Sequence, residues 1–248
     1  MVLGVSITTS TRKQILSYCS SVFLKSTKQS STFPITIVTP NAEQIVLAQD
    51  NDMFRQILNA SDVALPDGKP ITWVLKKEVS KMERIAGIDF MEELCKLAAN
   101  HQADVFLFGG NDGVAARALS HLQKKYVGLM GIAKDGPTIQ ETDISESVID
   151  ELVHTIRGRN IRVVFLGFGA PKQEYIIDAL NKRVRGYPVI LMAVGGSFDF
   201  LSGTLVRAPL FFQKIGLEWL WRLTQEPWRW KRQLSLFKFL WYIFLSKK

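Results

Sequence analysis

Two aspartates in the sequence stand at positions from which a carboxylate could take part in acid–base chemistry. Asp67, in ALPDGKPI, comes at the end of an apolar run and precedes a glycine. From there it could accept a proton from a substrate hydroxyl. The alternative is an Asx turn in which the aspartate only organises the loop. Asp199, in GGSFDF, allows the same two interpretations.

A third acidic motif, Asp50-Asn51-Asp52, matches the Asp-x-Asp pattern of metal-dependent sugar transferases. It falls inside a predicted helix from Ala42 to Leu58, where the two carboxylates would not converge on one cation. We therefore interpret it as a solvent-exposed helix face. His101, His121 and His154 are isolated from one another in the sequence. We predict neither a metal site nor a histidine-containing triad.

Two glycine-rich loops have the composition of anion-binding turns. In VVFLGFGAPKQEYI, an apolar run ends at Gly167 and Gly169, and a predicted helix begins with Pro171-Lys172-Gln173. Glycines let backbone N–H groups approach an anion, and a helix N-terminus carries partial positive charge, so this loop suits a diphosphate. FLFGGNDG repeats the arrangement at Gly109 and Gly110. The alternative for both loops is a plain tight turn between a strand and a helix.

The first of these loops is a poor match to a dinucleotide-binding fingerprint. Lys172 and Gln173 occupy the region where the G-x-G-x-x-G pattern needs its third glycine. Gly195 and Gly196 follow the next apolar run, where an acidic residue would be needed to bind the ribose. NAD binding is therefore disfavoured, and we predict no cofactor.

Apolar runs alternate with helix-like stretches through residues 1–204 and would position these loops. The predicted strands are Ile35–Val38, Val63–Leu65, Val105–Phe108, Tyr126–Ile132, Arg162–Leu166 and Val189–Val194. The predicted helices are Ala42–Leu58, Gly87–Asn100, Gly113–Lys124, Ser145–Arg157 and Pro171–Arg183. Wholly apolar strands between amphipathic helices indicate an α/β fold, a Rossmann-like, mostly parallel sheet with helices on both faces. Ligands bind beyond the carboxyl ends of such strands, so we expect the loops to share one rim.

Composition and charge limit the class of protein. A chain of 248 residues with 47% hydrophobic residues is typical of a globular protein rather than a disordered or polytopic membrane protein. Cys19 and Cys95 have no pair or ligand spacing, so we interpret both as reduced core thiols. The first residues, MVLGVSITTSTRK, lack the pattern of a signal peptide, which predicts a cytoplasmic protein.

The C-terminal segment, residues 205–248, differs from the rest of the chain in charge. It contains nine basic and two acidic residues, so it carries seven of the eight net positive charges, and it holds five of the six tryptophans. Its apolar stretch Leu236–Leu245 is about half of the ~20 residues needed to span a bilayer. Phe237, Leu240, Trp241 and Phe244 form a wide apolar surface beside a narrow stripe of Arg232, Ser235, Lys238, Tyr242 and Ser246.

This pattern predicts a helix that lies on an anionic membrane surface. A helix packed in the core and an oligomer interface are the alternatives, and neither needs so much positive charge. Nucleic-acid binding is less well supported, because the remainder of the chain is nearly neutral and no recognition motif is present. We predict two units, an α/β domain over residues 1–204 and a helical appendage over residues 205–248.

The chain resembles the WecG/TagA/CpsF family of bacterial glycosyltransferases, with similarity to N-acetylmannosaminyltransferases. The motifs that carry the resemblance run in order over nearly the whole chain. They are Thr39-x-Asn41, PDG at Pro66–Gly68, RIAGIDF at Arg84–Phe90, FGG at Phe108–Gly110, GFGAPKQE at Gly167–Glu174, GGSFDFLSG at Gly195–Gly203, RAP at Arg207–Pro209 and LEWLWRLTQEPWRWKR at Leu217–Arg232. GFGAPKQE together with the last two blocks is highly specific.

The resemblance implies an inverting, metal-independent transfer of a hexose such as ManNAc or ManNAcA. The sugar would pass from a UDP-sugar to a saccharide on a polyprenyl diphosphate, in cell-surface polysaccharide synthesis. It makes Asp67 the general base and Arg84 the group that offsets charge on the departing diphosphate. The UDP-sugar contacts would be Thr39, Asn41, Gln173 and Asp199, with Gly196 in the same loop as Asp199. The lipid diphosphate would be met by Arg222, Arg229 and Arg232.

Two functional hypotheses follow. The first is a transferase held against the inner face of the cell membrane by the C-terminal segment, and it could be a homo-oligomer. The second is a non-catalytic, membrane-associated subunit that binds nucleotide sugars within a polysaccharide assembly complex.

Overall fold

A computed structural model describes residues 1–24, 33–76, 79, 82–137 and 144–246. The strands of these ranges are β1 (Ile35–Val38), β2 (Val63–Ala64), β3 (Asp104–Gly109), β4 (Met130–Lys134), β5 (Ile161–Gly167) and β6 (Ile190–Ala193). The helices are α1 (Arg12–Leu24), α2 (Ala42–Asp50), α3 (Asp52–Ala60), α4 (Lys69–Leu75), α5 (Gly87–Asn100), α6 (Val114–Lys125), α7 (Glu146–Gly158), α8 (Lys172–Arg183), α9 (Ser197–Leu201), α10 (Leu210–Ile215), α11 (Glu218–Gln225) and α12 (Trp230–Leu245).

The strands form one sheet in the order β2-β1-β6-β5-β3-β4, and every pairing is parallel. Strands β1, β2 and β6 are buried along their whole length, and β3 and β5 nearly so. Such strands need cover on both faces, because neither row of side chains can be left in water. The predicted Rossmann-like α/β fold is confirmed.

Alternate residues of each strand enter different cores on the two faces of the sheet. One core packs α1, α5 and α6 against residues such as Ile37, Leu107 and Phe165. On the opposite face α7 and α8 cover Phe106 and Leu166, and α2, α3 and α12 continue the layer. Cys19 and Cys95 are free and buried in the first core, as predicted.

Two predicted elements were wrong in their bounds. The predicted helix from Ala42 to Leu58 is two helices, because Asn51 is extended and its side chain accepts a hydrogen bond from the Phe54 N–H, which caps a new helix. The predicted strand from Tyr126 to Ile132 begins only at Met130, because the chain first turns through Gly128 at a positive φ of 86°.

The C-terminal segment is helical and is packed against the α/β layers. Helix α12 packs on α2, and its Phe239 and Ile243 are buried in the same core as residues of α2 and α3. Ala208, before α10, is also buried. Within the described ranges no helix is long and apolar enough to cross a membrane. The predicted boundary at residue 204 stays a prediction.

Candidate active site

A cleft of about 880 Å³ lies beyond the carboxyl ends of the strands. The loops after β1, β2, β3, β5 and β6 all line it, as expected for one rim of a parallel sheet. Helices α11 and α12 and the residues that flank α10 supply further lining residues. The predicted site residues that line it from the α/β layers are Thr39, Asn41, Asp67, Arg84, Gly110, Gly167, Gly169, Lys172, Gln173, Gly196 and Asp199. Those from the C-terminal segment are Arg222, Arg229 and Arg232.

Asp67 lies on the floor of the cleft, where the N-terminus of α5 meets its carboxylate. The backbone N–H of Gly87, the first residue of α5, donates to Asp67, and an added Cβ at Gly87 would crowd Thr39 at 3.1 Å. Burial raises the pKa of Asp67 to about 6, an effect that Arg84 reduces and Glu218 reinforces. Because 29% of its side chain is still exposed, a substrate in the cleft can reach it. A carboxylate with this pKa is mostly ionised at neutral pH and is a stronger base than an ordinary aspartate, which suits a general base.

Arg84 is brought beside Asp67 by the loop that precedes α5. The Ile85 N–H donates to the Pro66 carbonyl at 3.2 Å, which ties this loop to the loop of Asp67. Arg84 Nη2 lies 3.7 Å from Asp67 Oδ1 and makes an ion pair with the Glu218 carboxylate. The guanidinium is therefore shared between the floor of the cleft and the C-terminal segment.

Glu218, the first residue of α11, also approaches a second guanidinium. Its Oε1 lies 3.9 Å from Arg207 Nε, and Arg207 Nη1 donates to Asp89 Oδ1 at 2.6 Å. Charges therefore alternate along a chain from Asp67 through Arg84, Glu218 and Arg207 to Asp89. Opposite neighbours stabilise each member of such a chain.

Two of the predicted diphosphate-binding arginines are held by one carboxylate. Glu226 forms ion pairs with both Arg222 and Arg229, and burial, which raises its pKa, is outweighed by these partners, so the pKa is lowered. Arg222 Nη2 also lies 3.5 Å from Asp199 Oδ2. Its guanidinium covers Gly196, where an added Cβ would stand 2.6 Å from Arg222 Nη2.

The other two predicted cationic groups of the cleft also have defined positions. Arg232, in the first turn of α12, donates from Nε to Glu43 Oε1 of α2 at 2.6 Å. Lys172 is the first residue of α8 and lines the cleft beside the Gly167–Gly169 loop. Each of the four predicted arginines thus has a carboxylate partner; they are Arg84, Arg222, Arg229 and Arg232.

A buried amide–acid network lies under the glycine-rich loops. Gln173 is 1% exposed, its Oε1 accepts from the Gly195 N–H at 2.9 Å, and its Nε2 donates to Glu174 Oε1 at 2.9 Å. Gln44 Nε2 approaches the same oxygen at 3.5 Å. Burial raises the pKa of Glu174 to about 7, although hydrogen bonds from Gln173 and the backbone act against it. Gln173 therefore fixes the Gly195 loop from below.

Three predicted residues have structural contacts of their own. The Thr39 hydroxyl donates to the Ala193 carbonyl at 3.4 Å, and Asn41 Oδ1 caps α2 by accepting from the Gln44 N–H at 3.0 Å. Gly109 does not line the cleft. An added Cβ there would stand 2.7 Å from the Gly167 carbonyl oxygen, so Gly109 allows the ends of β3 and β5 to approach closely.

The Asp-x-Asp motif lies away from the cleft. Asp50 and Asp52 are exposed, and Asp52 pairs with Arg55 at 2.6 Å. Across the described part of the chain, no group of three or more histidine, cysteine, aspartate or glutamate residues is arranged to hold a metal ion.

A comparison with protein-family models matches the glycosyl transferase WecG/TagA/CpsF family over residues 1–248. The chain belongs to this family. The family consists of glycosyltransferases of cell-surface polysaccharide synthesis, which in general use a nucleotide-sugar donor and a lipid-linked acceptor. This is therefore the class of reaction to which the chain belongs.

Four residues that contact the predicted site residues, or link them to one another, were not themselves predicted from the sequence. Glu218 and Arg207 join Arg84 to Asp89, Glu226 holds two arginines, and Glu174 lies behind Gln173. Arg207, Glu218 and Glu226 fall within the family motifs RAP and LEWLWRLTQEPWRWKR. Their positions in those motifs were therefore a signal, although the motifs do not say which residue each one contacts.

Helix α12 of this family member presents its apolar side to solvent. Ser235 and Tyr242 of the polar stripe are half-buried beside the buried Phe239 and Ile243, whereas the other members of the stripe are exposed. The opposite side is exposed, with Phe237 at 66% and other large members Trp230, Leu234, Leu240, Trp241, Phe244 and Leu245. Helix α10 adds exposed Leu210, Phe211 and Ile215. Large exposed apolar patches of this kind mark surfaces that contact lipid or protein.

Proposed function

We propose that the protein is an inverting UDP-sugar-dependent hexosyltransferase that acts at the inner face of the cell membrane on a saccharide linked to a polyprenyl diphosphate. The observation that carries the proposal is the position of Asp67. A carboxylate with a pKa raised to about 6 lies in an open cleft, within 3.7 Å of Arg84, and three more of the predicted arginines line the same cleft. A base beside clustered guanidinium groups is suited to hydroxyl activation with a diphosphate leaving group.

In the proposed reaction, Asp67 accepts the proton of the acceptor hydroxyl as its oxygen attacks the anomeric carbon of the donor sugar. The bond from that carbon to the UDP oxygen breaks on the opposite face, so the configuration inverts. The electron pair leaves with UDP, and guanidinium groups such as Arg84 stabilise its charge. Backbone N–H groups of the Gly167–Gly169 loop and the N-terminus of α8 would hold the donor diphosphate.

Replacing Asp67 by asparagine tests the general base, because the shape is kept and the proton acceptor is lost. We expect the rate of UDP release with a short-chain lipid acceptor to fall by about 10²- to 10⁴-fold. Asp52→Asn, on the exposed start of α3, is the matched control and should leave the rate unchanged. Wild-type turnover by Asp67→Asn over a panel of UDP-sugars would refute the assignment. Product formation by the wild-type chain alone would exclude a non-catalytic subunit.

The proposed contact with the membrane rests on the C-terminal segment. Helix α12 exposes aromatic and aliphatic side chains on one side, and the segment carries most of the net positive charge. An apolar face with basic flanks binds anionic lipid surfaces by burying its apolar side chains among the headgroups. The cleft opens beside this helix, since Gln233, Ser235 and Leu236 line it. A lipid-linked acceptor would then meet the cleft at the surface of the bilayer.

The double variant Phe237→Glu/Trp241→Glu tests this contact without touching Phe239, which is buried against the fold. We expect it to lose binding to vesicles containing anionic lipid in a sedimentation assay, with an unchanged melting temperature. Met53→Glu, at an exposed apolar position on α3, is the matched control. Truncation after Gln233 is a less specific test, because it also removes Phe239 and Ile243 from a core. Undiminished vesicle binding by the double variant would contradict the proposal.

A further inference from the structure

The C-terminal segment holds the Arg84 side chain from two helices. The Glu218 carboxylate of α11 accepts from Arg84 Nη2, and the Gln213 carbonyl of α10 accepts from Arg84 Nη1 at 3.4 Å. The same Nη2 atom stands 3.7 Å from Asp67 Oδ1, which is beyond hydrogen-bond distance. Arginine and carboxylate groups in contact usually form short, forked hydrogen bonds. In this protein the two terminal nitrogens of Arg84 donate to Gln213 and Glu218 of the C-terminal segment, and Asp67 lies too far away to accept a hydrogen bond.

We propose that Glu218 is a positioning residue that holds Arg84 back from Asp67, so that the Asp67 carboxylate stays open to the acceptor hydroxyl. This inference rests on the proposed role of Asp67 as the general base. A carboxylate hydrogen-bonded directly to arginine has its pKa lowered by about 1–3 units and becomes a weaker base. Glu218 prevents that pairing while leaving Arg84 near enough to meet the departing diphosphate.

Besides burial, the carboxylates of Glu218 and Asp89 both raise the pKa of Asp67, whereas Arg84 and the Gly87 N–H lower it. Asp67 is faced by Arg84, Glu218 and Asp89, and by the Gly87 N–H. Glu218 in turn is faced by Arg84 and Arg207, and Arg207 is hydrogen-bonded to Asp89. Three carboxylates are thus set against two guanidinium groups, which leaves one net negative charge. Among the three carboxylates, Asp67 lies farthest from its arginine partner, at 3.7 Å, whereas Glu218 and Asp89 are hydrogen-bonded to theirs. Asp67 is therefore the carboxylate that can accept a proton.

A consequence is that the strength of the base depends on a residue 151 positions away in the sequence. Glu218 reaches Arg84 only when α10 and α11 are docked over the loops after β2. Lys69 at the start of α4 donates to the Lys214 carbonyl of α10. This hydrogen bond holds α10 against the loop that contains Asp67. If the C-terminal segment were displaced, Arg84 would be free to pair with Asp67.

The substitution Glu218→Gln tests the proposal, since glutamine keeps the shape and loses the charge. In the wild type we expect kcat/KM to rise with pH through about 6, where Asp67 ionises. In Glu218→Gln this limb should move down by roughly one to two pH units, and the plateau should fall by about three- to tenfold because the base is weaker. Glu151→Gln, in a surface ion pair with Lys134, is the matched control and should change neither.

A ¹³C NMR titration of the Asp67 carboxyl, assigned by its absence in Asp67→Asn, measures the same effect without substrate. Its midpoint should fall in Glu218→Gln and fall by less in Glu218→Asp, which keeps the charge. An unmoved midpoint in folded Glu218→Gln, or equal shifts in both variants, would overturn the inference. If the midpoint moves but Asp67→Asn remains active, the positioning by Glu218 stands and the general-base assignment fails.

Discussion

Replacing Glu174 by glutamine probes the network beneath the glycine-rich loops through its effect on stability. Glu174 is fully buried, and burial raises the pKa of its carboxyl from 4.5 to about 7. The folded protein therefore binds this proton more tightly than the unfolded chain does. For such a group the stabilisation is fully present below pH 4.5 and is lost as the pH rises through 7.

The size of the effect follows from the shift in pKa. One pKa unit corresponds to about 1.36 kcal/mol, so between pH 5 and pH 8 the wild type should lose roughly 2.5 kcal/mol of unfolding free energy through this group. Glutamine does not titrate and should lose none of it. The variant should also be less stable by a constant amount of about 1–3 kcal/mol, independent of pH. The reason is that its amide nitrogen would replace Glu174 Oε2, which has no hydrogen-bond partner among the described residues, and would be a buried donor without an acceptor. The pH dependence of the difference is therefore the informative quantity.

Urea unfolding of both proteins at several pH values measures this difference, with equal m-values as the check that the same transition is followed. From pH 5 to pH 8, the unfolding free energy of the variant should rise by roughly 2.5 kcal/mol relative to that of the wild type. Other titrating groups, including Asp67 and Asp199, are common to both proteins and cancel. Parallel stability curves across this range would refute the argument, since they would mean that Glu174 is not held protonated by burial.

Two further predictions concern packing. Gly109→Ala should destabilise the protein by about 2 kcal/mol or more in thermal unfolding, because its φ is 118° and its Cβ would meet the Gly167 backbone. Gly158→Ala, with no atom within 4 Å of the added Cβ, is the control and should be neutral or slightly stabilising. Phe239→Ala should cost about 3–5 kcal/mol and make α12 sensitive to protease, whereas Phe237→Ala, at an exposed position, should change stability by less than about 0.5 kcal/mol.

The sheet could be predicted because its strands are apolar along their length and the intervening stretches are not. Strand β1 was predicted at its observed bounds, and the central strands within two residues. The break at Asn51 was missed, because a capping asparagine inside DND has the same composition as a solvated helix face. Asn51 also donates to the Tyr175 hydroxyl at 3.0 Å, a contact between residues far apart in the sequence.

The lining of the cleft was largely predictable from the motifs, whereas the pairing of its charges was not. Arg84, Asp67 and Arg222 stand out by type and position, but their partners are set by how the C-terminal segment folds back. The orientation of α12 was equally inaccessible, because helical periodicity defines faces and not which face meets α2. Two members of the polar stripe, Ser235 and Tyr242, are half-buried on the side of α12 that meets the protein.

Helix α2 joins two surfaces that have been described separately. Its side meets α12, while its first turn brings Glu43 and Gln44 to the rim of the cleft. A nine-residue helix is about 13 Å long, so α2 spans the distance between these two surfaces. A tilt of α12, such as one that the proposed contact with a bilayer would impose, would therefore be passed through α2 to the cleft wall. The helix that we propose to contact lipid and the wall of the cleft are thus linked through α2.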